Sequence, residues 1–321
     1  NTTGTANVAV GALAGDALTV GSSNVAIGYN SLSTEDGHGA NVAVGTNALA
    51  VQNAGANGYN TAVGHNAGLS VTTAVETTLV GALAGDAITT GGYNTGFGSA
   101  ALGATTTATF NTAVGRNALG ANTTGASNVA VGGQALDANT TADNNTAVGT
   151  SSLGASTTGT SNTAVGQASL GSNTTASNNT AVGKGALTAN TTGTANTAVG
   201  TSALTANTTA NSNTAIGKDA LLANTTGTRN VGVGASALKT ITTASFNTGV
   251  GNDVLGANTS GASNTGIGDQ ALGANTTGAS NTAMGSAALA ANTTANANIA
   301  IGRDALNDNT TGALNTAVGT Y

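Results

Sequence analysis

Between Tyr29 and His65 the chain gathers both of its histidines, two adjacent carboxylates and two tyrosines: Tyr29, Glu35, Asp36, His38, Tyr59 and His65. An imidazole titrates near neutral pH and serves as acid, base or metal ligand. Hydrolytic chemistry would need a serine or a second carboxylate disposed around it, and no Ser-His-Asp or paired-carboxylate pattern accompanies either histidine. The chain therefore reads as a non-enzyme, with no catalytic, cofactor-binding or metal-ligating set. The six residues stand instead as candidates for binding a partner, because segments that protrude from a regular scaffold are where recognition concentrates. The competing reading is that irregularity near one end marks a junction to another domain, or drift.

Other chemistry is sparse. There is no cysteine, so disulfides and thiolate metal sites are excluded. The phosphate-binding GxxxxGK[ST] pattern is absent, and so is the calcium-binding G-G-x-G-x-D pattern. Asp16 and Asp86 occupy matching G-A-L-A-G-D-A segments, but the two lie far apart in the chain. A ladder of metal ions needs ligands in neighbouring coils, so these two read as isolated solvated carboxylates. The net charge of −6, from 12 acidic and 6 basic residues, carries no cluster of Lys and Arg that would mark a nucleic-acid surface. No apolar run is long enough for a membrane-spanning helix, and no signal peptide is expected within this stretch.

The element that must carry these residues is a repeat. The pentapeptide N-T-A-V-G, with variants, begins at Asn7, Asn24, Asn41, Asn60, Thr77 and Asn94. From Asn94 it returns with a fixed 17-residue period to Asn315, 19 copies in all. The one phase break is two extra residues between Asn41 and Asn60. Such a period is the mark of a solenoid in which each repeat is one coil. The expected organisation is a single repeat domain over 1–321, less regular over 1–93 and strictly periodic over 94–321. The chain opens and closes in mid-repeat, which suggests a segment of a longer protein.

With the Asn counted as position zero, position three is apolar in all 19 copies, position four is always Gly, and position eight is Leu in 15 of 18. Positions 11 to 13 are usually Asn-Thr-Thr. Apolar runs of three to five residues between Gly and Asn punctuation argue against helix. The fold class expected is all-β: a parallel β-solenoid of 17-residue coils, each with two or three short strands joined by tight turns. The Gly after Val should take positive φ or admit a neighbouring backbone. The position-zero Asn side chains should form an amide ladder. Val and Leu should face the interior, and the adjacent threonines at positions 12 and 13 should point one inward and one outward. Charges such as Arg116, Lys184, Lys218, Asp253 and Asp269 follow the Gly and mark positions five and six as outward. Tyr93 and Phe110 share a position in adjacent coils and could stack. Gly and Ala alternate at position 14 from Gly125 to Gly261, a 34-residue pattern that reflects duplication or a surface read by a partner.

One Val and one Leu per coil are thin against the backbone entropy of ordering the whole coil. The coils are therefore expected to share a core with other chains. The N-[TV]-A-[VI]-G units resemble two related groups. One is the head region of trimeric autotransporter adhesins, matched best by Asn24-Val25-Ala26-Ile27-Gly28 and by Asn213-Thr214-Ala215-Ile216-Gly217 followed by Ala220. The other is the long N-T-A-V-G…A-L…N-T-T-G repeat of phage tail-fibre-like proteins, a closer match because it includes the Leu at position eight. The resemblance covers essentially the whole chain. It implies a β-roll or β-solenoid trimer with Val or Ile facing a shared interior. The adhesin repeats are shorter than the repeat of this chain, and no glycan- or collagen-binding residue carries over.

The functional expectation is a structural and adhesive fibre shaft, of a phage tail fibre or a bacterial surface adhesin. It would be extracellular, at a virion or cell surface, and would hold a recognition element away from it. The expected partners are further copies of itself, as homotrimer or filament, and a host-surface glycan or protein. No nucleic acid and no membrane insertion of this segment are expected. Alternatives are a self-assembling extracellular β-solenoid filament and an ice-binding solenoid presenting its Thr row.

Overall fold

The triplet after each position-zero residue becomes a strand, and among the described residues it is the only strand of its coil. A computed structural model describes residues 2–320. The chain divides into two compact units, one through Ser161 and one from Asn162. The first holds β1 (Val8–Val10) through β9 (Thr146–Val148), and the second holds β10 (Thr163–Val165) through β19 (Thr316–Val318). Every strand is three residues long. Within each unit successive strands pair parallel and in register, as in Thr112↔Val129 and Val114↔Val131, or Thr180↔Thr197 and Val182↔Val199. The two-residue insertion does not shift the ladder, because Val42 still pairs with Thr61. No helix among the described residues is long and apolar enough to cross a membrane.

The expectation of two or three strands per coil is therefore corrected to one. The rest of the coil is a chain of turns, and the cause lies in the backbone. Positions six, eight and 16 adopt left-handed φ without being glycine, as at Asn117 (+55°), Leu119 (+52°) and Ser127 (+58°). A left-handed residue reverses the chain and cannot extend a strand. The glycine at position four turns the chain as expected: Gly115 has φ +133°, and a Cβ there would lie 2.6 Å from the carbonyl carbon of Gly132. Position four thus needs both the conformation and the space that only Gly allows.

Alternation along so short a strand decides what is inside. Position two points inward, so positions one and three point outward. In the coil starting at Asn111, Ala113, Ala118 and Leu119 are fully buried, whereas Val114 is only half-buried. Ile27, Val63, Phe97, Ile216 and Met284, all at position three, are exposed. The expectation that the Val column is interior is thus overturned for the single chain, while the Leu column is interior. The narrow coil has room for Ala opposite Leu, and the larger side chain must go out.

Two asparagine columns complete the interior. At position zero the backbone N–H donates to the Oδ1 of the asparagine one coil earlier along most of the column, for instance Asn128 to Asn111 at 2.9 Å. The Nδ2 donates to its own coil's position 14 carbonyl, as Asn111 to Gly125 at 2.9 Å. The expected ladder is present. A second ladder, at position 11, went unanticipated: Asn139 Nδ2 donates to Asn122 Oδ1 at 2.8 Å, and Asn122 Nδ2 donates to the Gly125 carbonyl at 2.9 Å. Away from the two ends of the repeat, both columns are buried. Buried amides must be paired to be tolerated, and stacking identical amides pairs them coil by coil.

The threonine pair also differs from expectation. Thr123 at position 12 is half-buried and its hydroxyl donates to the Thr140 carbonyl at 2.9 Å, while Thr124 at position 13 is exposed. Neither points into the core. Position 14, where Gly and Ala alternate, is buried, with Ala142, Ala176 and Ala210 each 2% exposed. That alternation is therefore hidden from any partner.

Candidate functional site

The coil period sets the six candidate residues in several different columns. Tyr29 and His65 both fall at position five, Glu35 at position 11, Asp36 at 12 and His38 at 14, and Tyr59 just precedes Asn60. Position five lies beyond the Gly turn and is exposed, and Tyr29 and His65 are exposed there. They are not brought to Glu35, Asp36 and His38.

Those three residues do come together. Glu35 occupies the column that is otherwise mostly asparagine, between Leu18 in the preceding coil and Gln52 in the next. Its side chain is fully buried. The His38 backbone N–H donates to Glu35 Oε1 at 2.9 Å. This repeats the local bond by which the Gly261 N–H reaches Asn258 Oδ1 at 3.0 Å. Glu35 Oε1 also lies 3.5 Å from His38 Nδ1. Asp36 is exposed, and its carbonyl accepts the Thr19 N–H at 2.9 Å. Glu35, Asp36 and His38 each offer one ligand atom within 4.8 Å of those of the other two.

The surrounding polar atoms are unevenly served. Among the described residues, seven buried side-chain N or O atoms have no hydrogen-bond partner. Four of them, Glu35 Oε2, His38 Nδ1, Asn41 Nδ2 and Gln52 Nε2, fall in this one stretch. The insertion accounts for Asn41, whose position 14 carbonyl has been displaced. Asn60 Nδ2 instead reaches both Gln52 Oε1, at 2.6 Å, and the Ala74 carbonyl, at 2.8 Å.

A groove of about 360 Å³ runs alongside, lined by Val20, Ser22, Gly37, Gly39, Asn57 and Tyr59 among others. The Asn57 side chain accepts the Gly39 N–H at 3.0 Å and its amide approaches the Tyr59 hydroxyl at 3.4 Å. Tyr59 is thus the one candidate aromatic that lies next to the Glu35–His38 segment.

Elsewhere the surface holds few organised groups. Tyr93 and Phe110 stack as expected, with ring centroids 4.9 Å apart and planes 8° apart. In the same column Arg229 sits 5.5 Å from the Phe246 ring centroid, a pair the repeat pattern concealed. Position five is exposed at Arg116 and Lys184, while position six is half-buried, as at Asp219. Asp86 is half-buried where full solvation was expected. Desolvation pushes its carboxyl above the ordinary range, against the opposing pull of the backbone N–H groups of Asp86 and Ala87.

No protein-family model matches the chain, and no curated protein matches it significantly.

Proposed function

We propose that this chain is the shaft of an adhesive fibre, of the phage tail-fibre or bacterial surface-adhesin kind, and that it works as a homotrimer outside the cell. The observation that carries the reading is the outward column at position three. Val, Ile, Phe or Met stands there in every coil, exposed or half-buried in the single chain. A contiguous apolar strip on a soluble protein marks an interaction surface. Strips that repeat in step with the coil are matched by other copies with the same repeat, which makes three identical chains a natural closed solution. The shaft has no catalysis to perform. It keeps a recognition element at a distance, through in-register backbone ladders and two buried amide columns. A host-surface glycan or protein would be met at irregular places such as the groove beside Tyr59.

Mass in solution tests this. Sedimentation equilibrium of the full chain should give three times 29.9 kDa, independent of concentration. A 29.9 kDa species over the whole concentration range would overturn the trimer. A mass that climbs with concentration would favour the filament. Ice binding has less support: the position 12 hydroxyls are committed to carbonyls, as Thr208 is to Thr225 at 3.3 Å, which leaves the exposed threonines of position 13 and the mostly half-buried ones of position one, such as Thr112.

A further inference from the structure

We propose that Glu35, Asp36 and His38 form a binding site for a zinc-class divalent cation. Two of the three residues break the repeat, and they break it together. Position 14 is Gly or Ala in every other coil of regular length, and here it is His38. Position 11 supplies an amide in most coils, and here it supplies a carboxylate. An Asn in that place satisfies itself: Asn258 Nδ2 donates to the Gly261 carbonyl at 2.8 Å. Glu35 carries no side-chain amide N–H for the corresponding carbonyl. One oxygen accepts the His38 N–H, and the other, fully buried, has no partner among the described residues. A buried carboxylate is tolerated when a cation or donors complete it.

The atoms that could complete it are donors to a metal. His38 Nδ1 is buried and without a hydrogen bond, and it lies 3.5 Å from Glu35 Oε1. Asp36 adds a carboxylate oxygen from the solvent side, with all three ligand atoms within 4.8 Å of one another. Zinc bonds of about 2.0–2.2 Å to N and O place neighbouring ligand atoms about 3.3–3.6 Å apart in a tetrahedron, which Glu35 Oε1 and His38 Nδ1 already match at 3.5 Å, and exposed Asp36 closes on them to complete the set. One imidazole with two carboxylates suits Zn²⁺ better than Ca²⁺ or Mg²⁺, which take all-oxygen shells. Three protein ligands leave a fourth position for water or for a group on a partner.

The repeat itself supplies the test variants. Glu35→Asn and His38→Gly each put in the residue used most often in that column of the repeat, so both should fold. Isothermal titration of the tag-free full chain with ZnCl₂ should show one ion per chain. Co²⁺ substitution should give the intense visible absorption of a four-coordinate site. Added Zn²⁺ should raise the melting temperature. Glu35→Asn should weaken binding by more than the about 10–100-fold that follows loss of a ligand's supporting partner, and should abolish the thermal shift. His65→Ala, at the exposed and distant histidine, should leave binding unchanged. The proposal fails if the wild-type chain gives no saturable Zn²⁺ binding. It fails equally if Glu35→Asn binds as tightly as wild type, or if His65→Ala removes the binding.

Discussion

Asn213 receives the Asn230 N–H at 2.9 Å and gives its own Nδ2 to the Gly227 carbonyl at 2.8 Å, all within one buried column. Truncation to Ala leaves a buried donor and a buried acceptor without partners. Each such group costs about 1–3 kcal/mol, so Asn213→Ala should destabilise by roughly 2–5 kcal/mol. Urea unfolding followed by far-UV circular dichroism would read the shift. A loss below about 0.5 kcal/mol, the range of ordinary surface changes, would mean that the ladder contributes little beyond filling space. The same logic explains why an Asn column can persist where an apolar column would serve. An amide stacked on its like needs no other partner, whereas a single departure, as at Glu35 or Asn41, strands polar atoms at once.

At the scale of the coil, volume is conserved by exchange between positions. Where Leu is missing from position eight, at Gly15, Gly68 and Gly85, position 11 becomes Leu18, Val71 or Ile88. Val254 fills position seven, which is Ala or Ser in every other coil, and positions two above and below it are Gly249 and Gly266. A Cβ on Gly266 would lie 2.7 Å from Val254 Cγ2. Gly266→Ala should therefore cost about 1–3 kcal/mol through overpacking. Val254→Ala in the same chain should recover most of that, giving a coupling of about 1–3 kcal/mol in a double-mutant cycle. Strictly additive losses would refute the exchange. Much of this architecture is legible in the sequence, because Gly at position four and Leu at position eight recur with one role each. The single strand per coil is not legible, since the left-handed turns at positions six, eight and 16 are made by Leu, Ala, Gln and Phe as well as by the turn-favouring Asn, Ser and Asp, so no consistent turn signal marks them. The Val column was misplaced because size suggests burial, whereas alternation about a small Ala decides it. At the candidate site, the break in pattern at Glu35 and His38 was visible. Tyr29 and His65 are set apart from them by the coil period, which places both at position five.

For the molecule as a whole, almost everything that joins one coil to the next spans a single repeat, from strand register to the hydroxyl of each position 12 threonine. Stability in such a fold is a sum of coil terms and nearest-neighbour interfaces. A whole coil should then be removable without harm. Excising residues 111–127 sets the coil of Asn94 directly against that of Asn128. The strand Thr95–Phe97 would meet Val129–Val131, Leu102 would meet the Ala135 carbonyl that Leu119 now uses, and the Tyr93–Phe110 stack would be untouched. The shortened chain should keep its circular dichroism per residue and a cooperative melt within about 5 °C of the parent, the shift that about 1 kcal/mol produces in a domain. A broadened transition, or a fall several times larger, would show that distant coils support one another in ways the ladder does not reveal. The expected result would also bear on the proposed role: a shaft built from interchangeable coils can change its length one coil at a time, while whatever it carries stays the same.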